Sequence, residues 1–140
     1  MQQARTEQRS IEERRKSIAT EYFELIKAGK FKEGLRFFAP DCVTHNPYFS
    51  GDMSTLTDAM IDANKEMSGQ FPNAEFIVRH VLADGDMVAV HTDLLGDRSD
   101  PGQGGLRQMH LFRFDGEKII EYWDITQQVT PDQPNAAGAF

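Results

Sequence analysis

"LRQMHLFRFDGEKIIEYWDITQQV", residues 106–129, alternates in polarity on both sides of Asp115-Gly116. Alternation with period two sends successive side chains to opposite faces of a strand, and Asp-Gly between two such runs is a strong hairpin signal. In the second arm Ile120, Tyr122, Asp124 and Thr126 share one face, while Ile119, Glu121, Trp123 and Ile125 share the other. Neither face is cleanly apolar. Asp124 lies next to the single tryptophan of the chain. In the first arm His110 falls on the face of Phe112 and Phe114.

The same pattern occurs one step upstream. "AEFIVRHVLA" and "DMVAVHTDLLG" flank Asp84-Gly85 and predict another hairpin, with "DRSDPGQGG" between the two as a flexible rim or flap. Before residue 74 the period becomes helical. "RSIEERRKSIATEYFELIKAG" has Ser10 and Glu13 at capping-box spacing and sets Ile11, Ile18, Tyr22, Leu25 and Ile26 on one stripe, predicting a long helix that stops near Gly29. "KFKEGLRFF" predicts a short helix ended by Pro40, and "CVTHNPYF" a strand closed by Pro47. After a turn at Gly51 and Asp52, "STLTDAMIDANKEMSGQFP" predicts a third helix ending around Gly69. The tail "TPDQPNAAGAF" has no period and is expected to be loose.

Three helices with one strand among them, followed by four antiparallel strands, make an α+β fold with helices gathered on one side of a mostly antiparallel sheet. Curled around the long helix, such a sheet is a cone with one open end, the natural place for a ligand. All 140 residues are expected to form one domain, with its core at about residues 12–130 and looser ends.

Composition narrows the function. Hydrophobic residues at 39% and charged residues at 26% are ordinary for a soluble domain. A net charge of −7, with basic residues mixed among acidic ones, offers no positive stripe for a phosphate backbone, so nucleic acid is not expected as a partner. The charged N-terminus has no apolar segment of signal-peptide type and no run of 18 apolar residues occurs, so the expectation is a cytoplasmic protein without membrane contact. The lone Cys42 excludes an internal disulfide and is read as a small buried apolar residue. Nucleotide-binding and serine-hydrolase motifs are absent, as are HxH, HxxxH and HExxH spacings, so neither metal nor cofactor is expected.

The helix order, the double hairpin, "FFAPDCVTHNP" and "HLFRFDGEKIIEYWD" together resemble the nuclear transport factor 2-like superfamily, in its SnoaL-like polyketide-cyclase branch. The resemblance implies a curved sheet wrapped by helices around a deep pocket, and a small-molecule substrate with an apolar body and a polar head. It also implies that Asp124 faces the pocket as acid or base, as aspartates on this strand do in SnoaL-like cyclases and limonene-epoxide hydrolases. His91 and Asp93, two apart and therefore on one face, match an arginine and an aspartate of the epoxide hydrolases. His110 matches the protonated aspartate of ketosteroid isomerases, and Asn46 stands where those enzymes have their proton shuttle. His45 and Asn46 have opposite strand parity, and a bulge at Pro47 leaves open which one points inward.

Catalysis is therefore expected from Asp124, His91, Asp93 and His110, and substrate contacts from His45, Asn46, Tyr122, Phe112 and Tyr22. Three readings follow. One is acid/base chemistry on a small carbonyl compound, by cyclisation, isomerisation or an aldol-type step. Another is epoxide hydrolysis by Asp93, His91 and Asp124. The third is a non-catalytic binding or dimerisation module, pairing with a second copy through an outward sheet face that carries Val88, Val90, Trp123 and Ile125.

Overall fold

A computed structural model describes residues 1–47 and 53–140. Helix α1 spans Gln2–Lys27, and the short α2 spans Phe31–Gly34. A single 3₁₀ turn at Leu35–Phe37 leads into strand β1, Phe38–Thr44. Helix α3 covers Met53–Gln70, and four strands follow: β2 Glu75–Asp84, β3 Met87–Leu95, β4 Gly105–Asp115 and β5 Lys118–Val129. They form one sheet in the order β1-β5-β4-β3-β2, antiparallel except for the β1–β5 pair. The α+β architecture is the one the sequence predicts.

Local differences have physical causes. The helix runs through Ser10 and Glu13 to Gln2, so the capping-box spacing lies inside a helix rather than at its start. Pro40 does not end a helix; it sits within β1, an edge strand whose register shifts between Phe38 and Val43, where a missing N–H costs least. The expected extension of that strand to Tyr48 and Phe49, and the turn at Gly51 and Asp52, lie outside the described residues. Both hairpins close one residue later than Asp-Gly suggests. Their loops are Gly85-Asp86 and Gly116-Glu117, with Gly85 at φ 61° and Gly116 at φ 58°, a left-handed conformation natural to glycine at the first loop position.

The register sorts the sheet into rows. On the inner face, Ala83, Val88, Phe112 and Tyr122 lie side by side, then Val81, Val90, His110 and Asp124, then Val78, Thr92, Gln108 and Thr126. Polarity thus rises along the strands. A bulge between Arg113 and Phe114 pairs Phe114 with Ile119 and skips Ile120, so Ile119, expected outside, is fully buried within the core. Helix α1 covers the apolar rows with Ile18, Ala19, Tyr22 and Phe23.

Polar contacts hold α1 at the hairpin end. Arg15 donates from Nη1 to the Gly85 carbonyl at 2.8 Å and from Nε to the Gly116 carbonyl at 3.1 Å. Glu12 accepts the Gly85 amide at 3.1 Å. One side chain therefore clasps both turns.

The connection between the hairpins is a compact loop with a 3₁₀ turn at Pro101–Gln103, closed by the Gly96 amide donating to the Gly104 carbonyl at 2.9 Å. The tail carries a 3₁₀ turn at Ala137–Ala139, and Ala136 is buried. Cys42 is only half-buried, and its thiol is pushed up to about 11, first by burial and then by the Asp41 charge. No helix among the described residues is long and apolar enough to cross a membrane.

Candidate functional site

Aromatic rings floor the site. Phe112 is fully buried and meets Tyr22, Phe23 and Phe38 edge-on, with Tyr122 stacked beside it at 5.2 Å. The Tyr22 hydroxyl reaches the Met60 sulfur on α3 at 3.9 Å. The interior expected as an open pocket is thus packed at its apolar end, and the polar rows begin where this packing stops.

There His110 bridges two hydroxyls. Its Nε2 lies 2.9 Å from Thr92 Oγ1 and its Nδ1 lies 2.9 Å from the Tyr122 hydroxyl. Thr92 donates to Gln108 Oε1 at 3.2 Å, and Gln108 Nε2 donates to Thr126 at 3.3 Å. The Tyr122 hydroxyl lies against both His110 Nδ1 and the Asp124 carboxyl group, and so links the imidazole to that carboxyl. Burial holds the imidazole neutral, lowering its pKa from 6.5 to about 3. Both ring nitrogens are occupied, so His110 is a satisfied core histidine that aims Tyr122 and has no free N–H for a substrate.

That depressed pKa makes a stability prediction. Between about pH 6.5 and 3 the unfolded chain binds a proton at residue 110 that the folded chain refuses, so stability rises with pH and is lost as pH falls through this window. The slope from this group reaches about 1.4 kcal/mol per pH unit. Urea unfolding at stepped pH is expected to show it, and His110→Gln is expected to flatten the curve.

Beside His110 in the register stands Asp124, half-buried on the inner face. Asn46 Nδ2 donates to its Oδ2 at 2.9 Å, and the Tyr122 hydroxyl also hydrogen-bonds the carboxyl group. Desolvation raises its pKa, and the hydrogen bonds from Asn46 and Tyr122 oppose that rise without cancelling it.

The remaining expected residues go elsewhere. His45 points to the outer face, where Nε2 contacts Glu121 Oε2 at 2.7 Å and the ring stacks on Trp123 at 4.8 Å. Asn46 is the inward residue of the pair. His91 and Asp93 also lie on the outer face, because their register partners are Met109 and Arg107 while Asp124 pairs with His110. The cluster of His91, Asp93 and Asp124 that epoxide hydrolysis requires is therefore not assembled. Val88 and Val90, expected to face outward, are fully buried on the inner face. Thr92 and Gln108 were missed in the sequence, although they are the polar interruptions on a face otherwise carrying Val88, Val90, Phe112 and Phe114. Two open grooves, of about 530 and 540 Å³, lie along α1 beside Val81 and between the tail and Arg107, away from Asp124.

Against this geometry, the family model described as "SnoaL-like domain" matches residues 19–122. No curated protein matches the chain. Among solved structures, AclR, a candidate hydroxylase from Streptomyces galilaeus, superposes with a TM-score of 0.64 at 17% identity, over 83% of this chain and 90% of that one. IdmH, a candidate polyketide cyclase from Streptomyces antibioticus, gives 0.61 at 20% identity over 81% and 91%. A candidate ketosteroid isomerase from Kribbella flavida gives 0.61 at 17% identity over 87% and 84%. At such identities these likenesses establish the fold.

Proposed function

Because this chain belongs to the SnoaL-like domain family, we propose that it is a cofactor-independent enzyme in which Asp124 moves a proton on a small carbonyl compound. The observation that carries this reading is the carboxyl group itself: inward-facing, raised in pKa by desolvation, and held by Asn46 on one side and the Tyr122 hydroxyl on the other. Removing a proton next to a carbonyl needs a base whose pKa approaches the working pH, and burial moves a carboxylate that way. The aromatic floor suits the apolar body of a substrate, and the polar row of Gln108 and Thr126 suits its head. Cyclisation, isomerisation and aldol-type steps share this proton transfer, and the names of IdmH and the Kribbella flavida protein fall within that chemistry.

The test is exchange of the α-hydrogens of a panel of ketones and β-ketoesters in deuterated water, followed by NMR. Exchange catalysed by the native chain and lost in Asp124→Asn supports the proposal. Equal exchange by both proteins would leave a binding module as the better description, in keeping with the ring-filled interior.

A homodimer through the outer sheet face is part of the same reading. Leu82, Met109, Leu111, Ile125 and Val43 remain 66%, 45%, 40%, 74% and 52% exposed there. Together they form an apolar surface suited to a second copy. Ile125→Glu is expected to convert a dimer to a monomer in light scattering coupled to gel filtration, and a native chain already monomeric under those conditions contradicts it.

A further inference from the structure

We propose that His80 and His91 form a cross-strand site for a zinc-class divalent cation on the outer face, with Asp93 orienting His91. The two residues are register partners across the β2–β3 hairpin, immediately after the irregularity at Arg79. Their Nδ1 atoms lie 3.2 Å apart and their rings are 16° from parallel. Two imidazole nitrogens bound tetrahedrally to one Zn²⁺ at 2.0–2.1 Å are about 3.3–3.4 Å apart, so the pair is already at the spacing that shared coordination requires.

The opposite edge of His91 supplies the second observation. Its Nε2 lies 3.5 Å from Asp93 Oδ1, and the Asp93 side chain is only 1% exposed. That oxygen has no hydrogen-bond partner, while Oδ2 accepts from Arg79 Nε at 2.8 Å. At 3.5 Å the carboxylate makes no hydrogen bond to this nitrogen, but its negative charge beside Nε2 favours a proton there and leaves the lone pair on Nδ1.

Without a cation, one of the two Nδ1 atoms must carry a hydrogen for the contact to be favourable, and the Asp93 geometry assigns it to His80. On binding, His80 takes the tautomer protonated at Nε2, both Nδ1 lone pairs go to the cation, and no net proton is released. Among the described residues no group of three or more histidine, cysteine or acidic side chains is placed around a common point, so water completes the coordination. His80 is exposed and His91 is 29% exposed in the single chain, and because β2 is an edge strand a cation can reach the pair from the margin of the sheet even with a second copy on the outer face.

Calorimetric titration of the untagged full chain with Zn²⁺ tests this. Saturable binding is expected, weakened at least tenfold by His80→Ala and by His91→Ala and unchanged by His45→Ala, which removes a different outer-face histidine. Asp93→Asn is expected to weaken binding about 10–100-fold with both ligands still present. Because Asp93 is buried, that variant is read alongside its circular-dichroism spectrum, and the exposed His80→Ala decides the matter. Ile125→Glu is expected to leave the affinity unchanged, since one chain supplies both imidazoles. Binding no tighter than that of the doubly substituted His80→Ala, His91→Ala chain overturns the site, and so does loss of binding in Ile125→Glu.

Discussion

Asp124→Asn is expected to cut turnover by about 10²–10⁴-fold, the usual contribution of a positioned acid or base, while the protein stays folded and becomes slightly more stable at neutral pH. Both halves follow from the same environment. Desolvation raises the Asp124 pKa in the folded state, so the folded chain binds a proton more readily than the unfolded chain does. For such a group stability falls as pH rises from 3.8, its ordinary value, through the folded pKa. An uncharged asparagine removes that cost. Its amide oxygen still accepts from Asn46, which now donates to Asp124 Oδ2 at 2.9 Å. Kinetics of α-hydrogen exchange and thermal melts on one preparation check the two halves together. A variant that loses exchange by unfolding would show a lowered melting temperature, so the opposite shift identifies a functional loss. A purely structural aspartate would be expected to lower stability and leave exchange untouched.

Phe112→Ala is expected to cost about 3–5 kcal/mol of stability, the range for removing a large buried aromatic side chain. Phe112 has 0% exposure and contacts rings from α1, from β1 and from the neighbouring strand β5. Its loss opens a void between Tyr22 and Tyr122, and the Tyr122 hydroxyl is one of the two groups that hold His110. Destabilisation should therefore come with a loosened network around Asp124. Equilibrium urea unfolding measures the first effect. The second appears as a weaker dependence of stability on pH below 6.5, because His110 in a looser core admits its proton more easily. A cost below about 1 kcal/mol would mean that the aromatic cluster closes over the gap and that packing at this row matters little.

Much of this architecture was legible in the chain. Alternation around two glycine turns predicted both hairpins, strand parity grouped Asp124 with Tyr122 and His110 with Phe112, and the family resemblance turned the Asp124 face inward, where all four side chains lie. The bulge that skips Ile120 was not legible, since two adjacent isoleucines look alike until a partner strand decides which one it faces. Pro40 was misread because proline ends helices and also tolerates edge strands, and only the place of β1 at the margin of the sheet separates those roles.

The choice of face on β3 was the costliest error. Val88 and Val90 alternate with Ala89, His91 and Asp93, and residue parity states only that these are two sets, one up and one down. The sequence by itself determined the two periods, the order of helices and strands, the positions of the two hairpin turns to within a residue, and the grouping of His91 with Asp93. Only the tertiary structure decided that α1 covers the valine side, which puts His91 and Asp93 behind the sheet and leaves Asp124 in front with Asn46. The physical reason is that a strand has no inside until another element buries one of its faces, and the helix that does so is docked through Arg15 on turns 70 and 101 residues away in the chain.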